Sequence, residues 1–218
     1  MVAGPDLGGM EKKRSVATLR LVGGHPGLDL ANTVDSRRGR GGPDLLVVYG
    51  DLVAWAERVG LLAAGAAAEL RRRADGAPGE ADAALARTKA LREAIYRVFS
   101  ALVADVEPPV PDLELIEDEA RRAQATRRLA RRGTGYAWVW PDADLDAVAR
   151  RLAHEAAELL TDPRLGRVKE CSGRGCGWLF LDTSRNGLRR WCSEEECGTP
   201  ARVARHRSKA RPGTPDGG

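Results

Sequence analysis

The fold of this chain is decided by two neighbouring stretches near its end, Cys171-Ser-Gly-Arg-Gly-Cys176-Gly-Trp-Leu-Phe-Leu-Asp182 and Arg189-Arg-Trp-Cys192-Ser-Glu-Glu-Glu-Cys197-Gly-Thr-Pro200. All four cysteines lie here, as two pairs in which four residues separate the members. Short spacings within each pair and a longer loop between the pairs are typical of one structural Zn²⁺ held by thiolates in a tetrahedral site. The pattern therefore predicts zinc ligands at Cys171, Cys176, Cys192 and Cys197.

Two other states of the cysteines fit the spacing, namely two disulfides or unrelated free thiols. Disulfides require an oxidising compartment. The N-terminus lacks the basic region and apolar core of a signal peptide, so we expect a cytoplasmic protein with reduced cysteines. Zinc is therefore the favoured cofactor.

The residues around the cysteines predict a small zinc fold. Glycines at 173, 175 and 177 let the backbone turn tightly around a metal as a zinc knuckle. Residues 178–181 have strand character, residues 182–187 have turn chemistry, and residues 188–191 are predicted to return as a second strand.

A helix is expected after Cys197, with Thr199 as its N-cap and Pro200 at its first position. The positive end of that helix would favour the Cys197 thiolate. Knuckle, hairpin and helix then follow one another in a treble-clef-like order.

Length and composition indicate one or two domains. The 218 residues are 43% hydrophobic, and no apolar run approaches the roughly 18 residues of a membrane span, so no membrane partner is expected. The net charge is +4, but residues 164–218 contain twelve basic and six acidic residues, which leaves the rest of the chain at −2. A polyanion partner is expected for the C-terminal part, although a Zn²⁺ bound by four thiolates carries −2 and offsets some of this charge.

The chain upstream begins with residues 1–15, which are rich in Gly, Pro and Lys and are predicted to form a disordered tail, as are residues 210–218. Residues 18–22 alternate well enough for a strand. The run Gly23-Gly-His-Pro-Gly27 predicts a turn, after which residues 28–34 are expected to begin a helix.

Apolar residues at spacings of three and four predict a mainly helical domain over residues 16–165. Asp51 is the expected cap of its first long helix, and Asp142 or Asp144 the cap of its last. The expected helices span residues 52–59, 63–74, 80–105, 112–132 and 145–159.

Two features of this domain have both a structural and a binding interpretation. Arginine pairs in the helix over 112–132 are interpreted as a solvated face, and a nucleic-acid face is the alternative. Residues 135–140 predict a half-buried strand whose Tyr136, Trp138 and Trp140 pack inwards, and an aromatic binding wall is the alternative.

Two motifs resemble those of a known bacterial family. The residues from Leu179-Phe-Leu-Asp182-Thr-Ser-Arg-Asn186 to Cys197-Gly198 resemble the CGNR zinc finger, which is found in bacterial, especially actinobacterial, proteins regarded as stress-induced transcription regulators. Gly24-His-Pro-Gly-Leu-Asp29-Leu-Ala-Asn32-Thr33 resembles the opening of the ABATE domain that precedes this finger. The resemblance implies an ABATE-like domain over 16–165, a finger over 166–209, and zinc ligands at the same four cysteines.

One position departs from the motif that names the finger. Where relatives read Cys-Gly-Asn-Arg, this chain reads Cys197-Gly-Thr199-Pro200. Thr199 can replace asparagine as a helix cap, but Pro200 has neither the charge nor the hydrogen bonds of arginine. If that arginine touches DNA in relatives, the contact is lost or moved here.

The preferred hypothesis is a DNA-binding transcription regulator. Arginine and asparagine side chains can read base edges bidentately, whereas lysine mainly contacts phosphate. The alternative is a zinc-stabilised module that docks on the first domain or on a partner protein without binding nucleic acid. The candidate DNA-binding residues are Arg202, Arg205, His206 and Lys209 on one face of the last helix, and Arg185, Asn186, Arg189 and Arg190 in the preceding loop and strand edge.

A second hypothesis is a first domain that senses a small molecule. His25, Asp29, Asn32 and Thr33 follow the Gly-rich turn, with Arg37 and Arg38 nearby. A helix start of this kind can bind an anion. In the alternative interpretation, Asp29 and Asn32 hydrogen-bond buried backbone and fix the turn.

No enzyme is expected. The chain lacks a nucleophile elbow, a P-loop and a dinucleotide fingerprint, and four sulfur ligands would close the zinc site, which leaves only His25 and Asp29 unassigned. The predicted architecture is mainly helical α+β: an N-terminal helical domain with a small antiparallel sheet, then a treble-clef-like zinc module. A homodimer is considered alongside DNA as a partner.

Overall fold

The computed structural model describes residues 14–38, 41–141 and 144–209, with side chains as far as His206. Most of the two predicted tails and the expected cap Asp142 lie outside these residues. A 3₁₀ turn spans Leu165–Arg167, and a π-helical turn spans Glu194–Gly198. The described elements are α1 (Pro26–Ala31), α2 (Tyr49–Arg58), α3 (Ala64–Gly76), α4 (Pro78–Val103), α5 (Val110–Thr126), β1 (Arg128–Arg132), β2 (Gly135–Val139), α6 (Ala147–Thr161), β3 (Val168–Glu170), β4 (Leu179–Leu181) and α7 (Thr199–Lys209).

The long helix α4 lies at the centre of the molecule. Its Leu91, Ile95, Val98 and Phe99 recur at spacings of three and four and are buried. Pro78 occupies the first turn, where the missing N–H breaks no helical hydrogen bond. Because such an apolar face must be covered, α4 contacts α1, α2, α3, α5 and α6.

The Gly-rich turn starts α1 two residues earlier than predicted. His25 is the N-cap, since its Nδ1 accepts the N–H of Gly27 at 3.2 Å, and Pro26 occupies the first helical position. The helix ends at Ala31, and the expected helix over 28–34 is therefore shifted. In α2, Asp51 lies inside the first turn, and its carboxylate accepts backbone N–H groups that precede the helix.

Residues 18–22 do not form the predicted strand. The carbonyl of Ser15 accepts the N–H groups of Thr18 and Leu19, at 3.1 and 2.9 Å, and so closes a turn. Arg58 donates to the carbonyl of Leu19 at 3.0 Å. A side chain therefore satisfies backbone that a neighbouring strand was expected to bind.

The last part of the predicted helix over 112–132 is wrong. α5 ends at Thr126, and β1 pairs with β2 in an antiparallel hairpin that turns at Gly133, where φ is +58°. The glycine turn gives residues 128–132 a strand partner, which outweighs their helix propensity. The expected burial of the strand is also wrong, because Tyr136 and Trp138 are 73% and 57% exposed.

β3 and β4 form the second small sheet. β4 was predicted, but its partner precedes the first cysteine: Val168 pairs with Leu181 in antiparallel register. Residues 188–191 do not form the predicted return strand. The Asp182 carboxylate accepts the N–H of Arg189 at 3.0 Å, and this side-chain bond replaces part of the expected ladder.

One apolar core extends through both parts of the chain. Trp178, Leu179 and Phe180 are buried in the same cluster as Leu28 and Leu30 of α1. The predicted class, mainly helical α+β with a C-terminal cysteine module, is confirmed. None of the described helices is long and apolar enough to cross a membrane.

Candidate metal centre and nucleic-acid interface

The four cysteine sulfurs form a compact cluster. All four Sγ atoms lie within 4.8 Å of one another. Cys192 Sγ lies 3.6 Å from that of Cys176 and 3.7 Å from that of Cys197. With Zn–S bonds of about 2.3 Å, two ligands of a tetrahedral site are about 3.8 Å apart, so these distances fit one Zn²⁺.

Tight backbone turns place the first pair of sulfurs. Gly175 and Gly177 have φ values of +76° and +68°, which a side chain would strain. A Cβ at Gly173 would lie 2.7 Å from Cys197 Sγ, so the backbone approaches the cluster more closely than any other residue type allows. The zinc knuckle expected from these glycines is thus built by their backbone.

Hydrogen bonds from neighbouring thiols, and from backbone N–H groups, give Cys171 the character of a thiolate. Its sulfur accepts the N–H of Gly173 at 3.4 Å and that of Cys192 at 3.2 Å. Hydrogen bonds from the thiols of Cys176 and Cys192 are the largest cause of a Cys171 pKa far below its ordinary value. The same bonding raises the pKa of Cys192, because one buried thiolate opposes a second unless a cation joins them. Four sulfurs and this charge suit Zn²⁺ in a closed, structural site.

Cys197 lies inside a helical turn rather than ahead of a helix. Ser193 caps this turn, since its Oγ accepts the N–H of Glu196 at 3.3 Å. Thr199 is the first residue of α7 and does not serve as the predicted N-cap of an isolated helix. The helical segment therefore begins before the last zinc ligand.

The Gly-rich motif and α1 dock directly onto the zinc segment. The Asn32 carboxamide donates to the carbonyl of Leu179 at 2.8 Å and accepts its N–H at 2.9 Å, which completes both backbone groups of a buried strand residue. The N–H of Leu181 donates to the carbonyl of Gly23 at 2.8 Å. The Trp178 indole adds a 3.0 Å bond to the chain just after α1.

The other candidate ligand-binding residues also bond within the protein. Asp29 accepts the N–H of Gly23 at 2.8 Å, and Thr33 Oγ1 donates to the carbonyl of Leu30 at 2.7 Å. Burial raises the pKa of Asp29 to about 6 and lowers that of His25 to about 4. His25 is therefore neutral at pH 7, as its role as an acceptor at the cap requires.

The two nearby arginines are also paired. Arg37 donates to Glu93 at 2.6 Å and lies 4.4 Å above the ring of Tyr96. Arg38 forms an ion pair with Glu170 of β3. These contacts support the structural interpretation of the motif more than an anion site.

Arg189, a candidate DNA-binding residue, is used inside the molecule. Its guanidinium donates to the carbonyls of Trp191 at 3.0 Å and Val22 at 3.2 Å, and to that of Cys192. It also lies 4.2 Å above the ring of Phe180. Its contacts tie the zinc segment to the N-terminal residues and leave it a structural role.

The candidate residues of α7 differ in their surroundings. Arg202 pairs with Glu194 and lies 5.6 Å above the ring of Trp191. Arg205 and His206 are exposed. Lys209 ends the helix, and its side chain is beyond the described ones. The predicted spacing along one helix is therefore present, with Arg202 already held by a carboxylate.

The loop before Cys192 carries the more available groups. Arg185, Asn186 and Arg190 are exposed. Arg190 lies 5.6 Å from the centre of the Trp191 ring, which Arg202 also contacts. Within the described residues, neither arginine of this loop has a carboxylate partner.

Comparison with known protein families covers both parts of the chain. The family model ABATE, described as "Putative stress-induced transcription regulator", matches residues 24–163. The chain belongs to the ABATE family. A second family model, the CGNR zinc finger, matches residues 167–210, and both resemblances drawn from the sequence are thereby confirmed. No curated protein matches the chain.

The four cysteines of this ABATE protein are thus the cysteines of a CGNR zinc finger, and Zn²⁺ is its cofactor. The residues that replace Asn-Arg in the motif, Thr199 and Pro200, are exposed at the start of α7. Thr199 Oγ1 contacts the Arg202 guanidinium at 3.3 Å. An arginine thus lies beside the altered pair, one helical turn further along.

The sequence interpretation of this ABATE protein missed Asp182, which organises the loop. Its buried carboxylate accepts bonds from Lys169 at 2.7 Å and from the N–H groups of Ser184 and Arg189. Burial alone would raise the pKa of Asp182, but these donors, Lys169 foremost, hold it well below its usual range. The Asp-Thr-Ser sequence, typical of a side chain that bonds backbone two residues on, was the available signal.

Proposed function

We propose that this zinc-containing ABATE protein is a transcription regulator that binds DNA through α7 and the loop over residues 183–190. The observation that carries the proposal is the orientation of the zinc segment. Its apolar residues, Trp178 to Leu181, are buried against the helical part. The loop and α7 are left as its exposed surface.

The composition of α7 supports a polyanion partner. Residues 199–209 include three arginines and one lysine and no acidic residue. The largest apolar side chain of the helix, Val203, is 44% exposed. Among the described elements, α7 contacts chiefly the π-helical turn. A helix without an apolar stripe does not gain stability from packing on protein, whereas phosphate binding would use its charge.

The available contacts divide into two groups. Arg185, Asn186 and Arg190 lack carboxylate partners in the described part and are suited to direct contact. Arg202 would exchange Glu194 for a phosphate, which adds little net charge neutralisation. The loop is therefore proposed to contribute more to affinity than Arg202 does.

Binding can be tested by fluorescence anisotropy with genomic DNA fragments and the zinc-loaded full chain. We expect affinity to fall as salt rises, and Arg185→Ala plus Arg190→Ala to weaken binding about tenfold or more. Arg72→Ala, at an exposed position of α3, is the matched control. Salt-independent binding, or unchanged affinity in the double variant, would refute the proposal.

The alternative function is a zinc-stabilised protein-interaction module. Docking by the zinc segment supports it, because Asn32 and Leu179 are joined by two buried hydrogen bonds. That docking is intramolecular, however, and leaves α7 uncovered. The proposed zinc role is structural, with four sulfur ligands, and we propose no catalytic activity.

Ligand sensing by the N-terminal part is a separate proposal. An open pocket of about 270 Å³ borders His25, Asp29 and Arg58. All three side chains already bond within the protein. The Arg58 guanidinium has five N–H donors, and those that do not reach the carbonyls of Val16 and Leu19 could bind a ligand. A thermal-shift screen of small carboxylates and phosphates tests this idea, and melting temperatures that stay flat across the screen would leave the motif a structural role.

A further inference from the structure

The β1–β2 hairpin projects from the helical part between α5 and α6. Among the described elements, its strands contact chiefly each other. At its base, the Trp140 ring lies 5.2 Å from that of His154 on α6. Isolated two-stranded hairpins are only marginally stable in water. The large exposed side chains of this hairpin are not buried in a core, so they do not stabilise it, and exposed apolar side chains of this kind indicate a binding surface.

The register divides the hairpin into two chemically distinct faces. Leu129 is opposite Trp138 and Arg131 is opposite Tyr136, so these four side chains share one face. The other face alternates arginine with small residues. Tyr136 and Trp138 follow the strand two residues apart, which separates them by about 7 Å along one line.

All the charged residues of the hairpin are positively charged. Residues 127–141 contain four arginines and no acidic residue. Arg128, Arg131 and Arg132 are exposed and have no carboxylate partner within the described residues. Arg127 lies 5.5 Å above the Trp138 ring and 5.2 Å above the Trp140 ring, and its buried Nε has no hydrogen-bond acceptor in the described part.

The aromatic rings are exposed in a line, with the unpaired Arg131 on their face and with Arg128 and Arg132 on the opposite face of the narrow two-stranded ribbon. This arrangement matches the chemistry of a nucleic-acid strand with unstacked bases. Bases stack on aromatic rings while cations follow the phosphates. A second copy of this chain is disfavoured, because two such hairpins would oppose like charges. Duplex DNA offers no base faces to Tyr136 and Trp138.

We propose that the β1–β2 hairpin binds single-stranded nucleic acid, with bases stacked on Tyr136 and Trp138 and phosphates held by the arginines. This surface belongs to the ABATE segment and acts independently of α7 and the zinc site. The protein would then carry two nucleic-acid surfaces of different specificity.

The test uses labelled oligothymidine, oligouridine and a DNA duplex of equal length with the zinc-loaded full chain. We expect both single strands to bind and to quench tryptophan fluorescence. Tyr136→Ala plus Trp138→Ala should weaken strand binding at least about tenfold, whereas Tyr136→Phe plus Trp138→Phe should stay within about threefold of wild type. Val110→Ala, another exposed apolar position, is the control.

Duplex binding separates this inference from the proposed function. The hairpin variant should retain duplex affinity, while Arg185→Ala plus Arg190→Ala should retain strand affinity. The inference is overturned if wild type does not bind the strands or if the alanine pair binds them normally. It is equally overturned if an acidic peptide binds as tightly as the single strands and if the alanine pair abolishes that peptide binding. This result would assign the hairpin to a protein partner.

Discussion

Asn32 joins two segments of chain that are far apart in sequence. Its buried carboxamide satisfies the N–H and the carbonyl of Leu179, which lies 147 residues later. A carboxamide offers one donor and one acceptor in the geometry that a neighbouring strand would present. The side chain therefore acts as a one-residue strand partner for β4.

Replacing Asn32 should lower stability, because the backbone of Leu179 would lose its hydrogen-bond partners. In Asn32→Ala, two buried backbone groups lose their partners, and we expect the free energy of unfolding to fall by about 2–4 kcal/mol. Urea unfolding of the zinc-loaded protein measures the change. Asn186→Ala, at an exposed loop position, should change stability by less than about 0.5 kcal/mol. Equal effects of the two substitutions would contradict the proposed role of Asn32 as a hydrogen-bond partner of Leu179.

Asp29 predicts a distinctive dependence on pH. Its folded pKa of about 6 lies above the unfolded value of about 3.9, so its contribution to stability is present below pH ~4 and is lost as pH rises through 6. Asp29→Asn keeps an acceptor for the Gly23 N–H without the charge. We expect the variant to gain about 1–3 kcal/mol over wild type near pH 7.5 and less near pH 5.

The comparison is made by urea titrations from about pH 5 to about pH 8 with zinc in excess, because protonation of the thiolate ligands weakens zinc binding as pH falls. Asp75→Asn, at an exposed position of α3, provides the matched acid-to-amide control. A gain from Asp29→Asn that did not grow with pH would show that burial does not govern this carboxyl.

At the scale of elements, the knuckle depends on backbone that touches sulfur. Gly173→Ala would place a Cβ 2.7 Å from Cys197 Sγ, and the clash would open the ligand set. We expect zinc affinity to fall about 10–100-fold, as for other changes that disturb ligand orientation. Competition with a chromophoric chelator measures it. Gly166→Ala, which meets no atom within 4 Å, should bind zinc normally.

Elements with a strong apolar period could be predicted from sequence, and those held by single side chains could not. The stripe of α4 fixes its position because Leu91, Ile95 and Phe99 must share a buried face. Residues 128–132 have no such stripe, and their conformation depends on a partner strand beyond Gly133. The loop at 188–191 depends in the same way on Asp182.

The metal site could be predicted residue by residue, because the spacing of the cysteines by itself indicates which side chains share one metal ion. The roles of the arginines could not, because one sequence pattern covers three environments. Arg189 is bonded to buried carbonyls, Arg202 is paired with a carboxylate, and Arg185 is exposed. Only the tertiary contacts of each guanidinium distinguish these cases.

At the scale of the whole molecule, the shared core predicts that zinc removal destabilises residues outside the finger as well as within it. Phe180 and Leu181 are buried among residues of the helical part. Chelation should therefore increase amide hydrogen exchange in α1 as well as over residues 166–209. Exchange in the β1–β2 hairpin, whose strands contact chiefly each other among the described elements, serves as the internal reference. A change confined to 166–209 would mean that the two parts are stable separately.

The two hydrogen bonds between Asn32 and Leu179 also have a consequence for biosynthesis. A ribosome releases α1 long before β4, so the buried face of α1 stays uncovered until the zinc segment has been translated. That segment folds around its four thiolates only when zinc is supplied. Folding of the N-terminal half is thus completed only after the finger has bound its metal, and a nascent chain made without metal would present that face to chaperones and proteases.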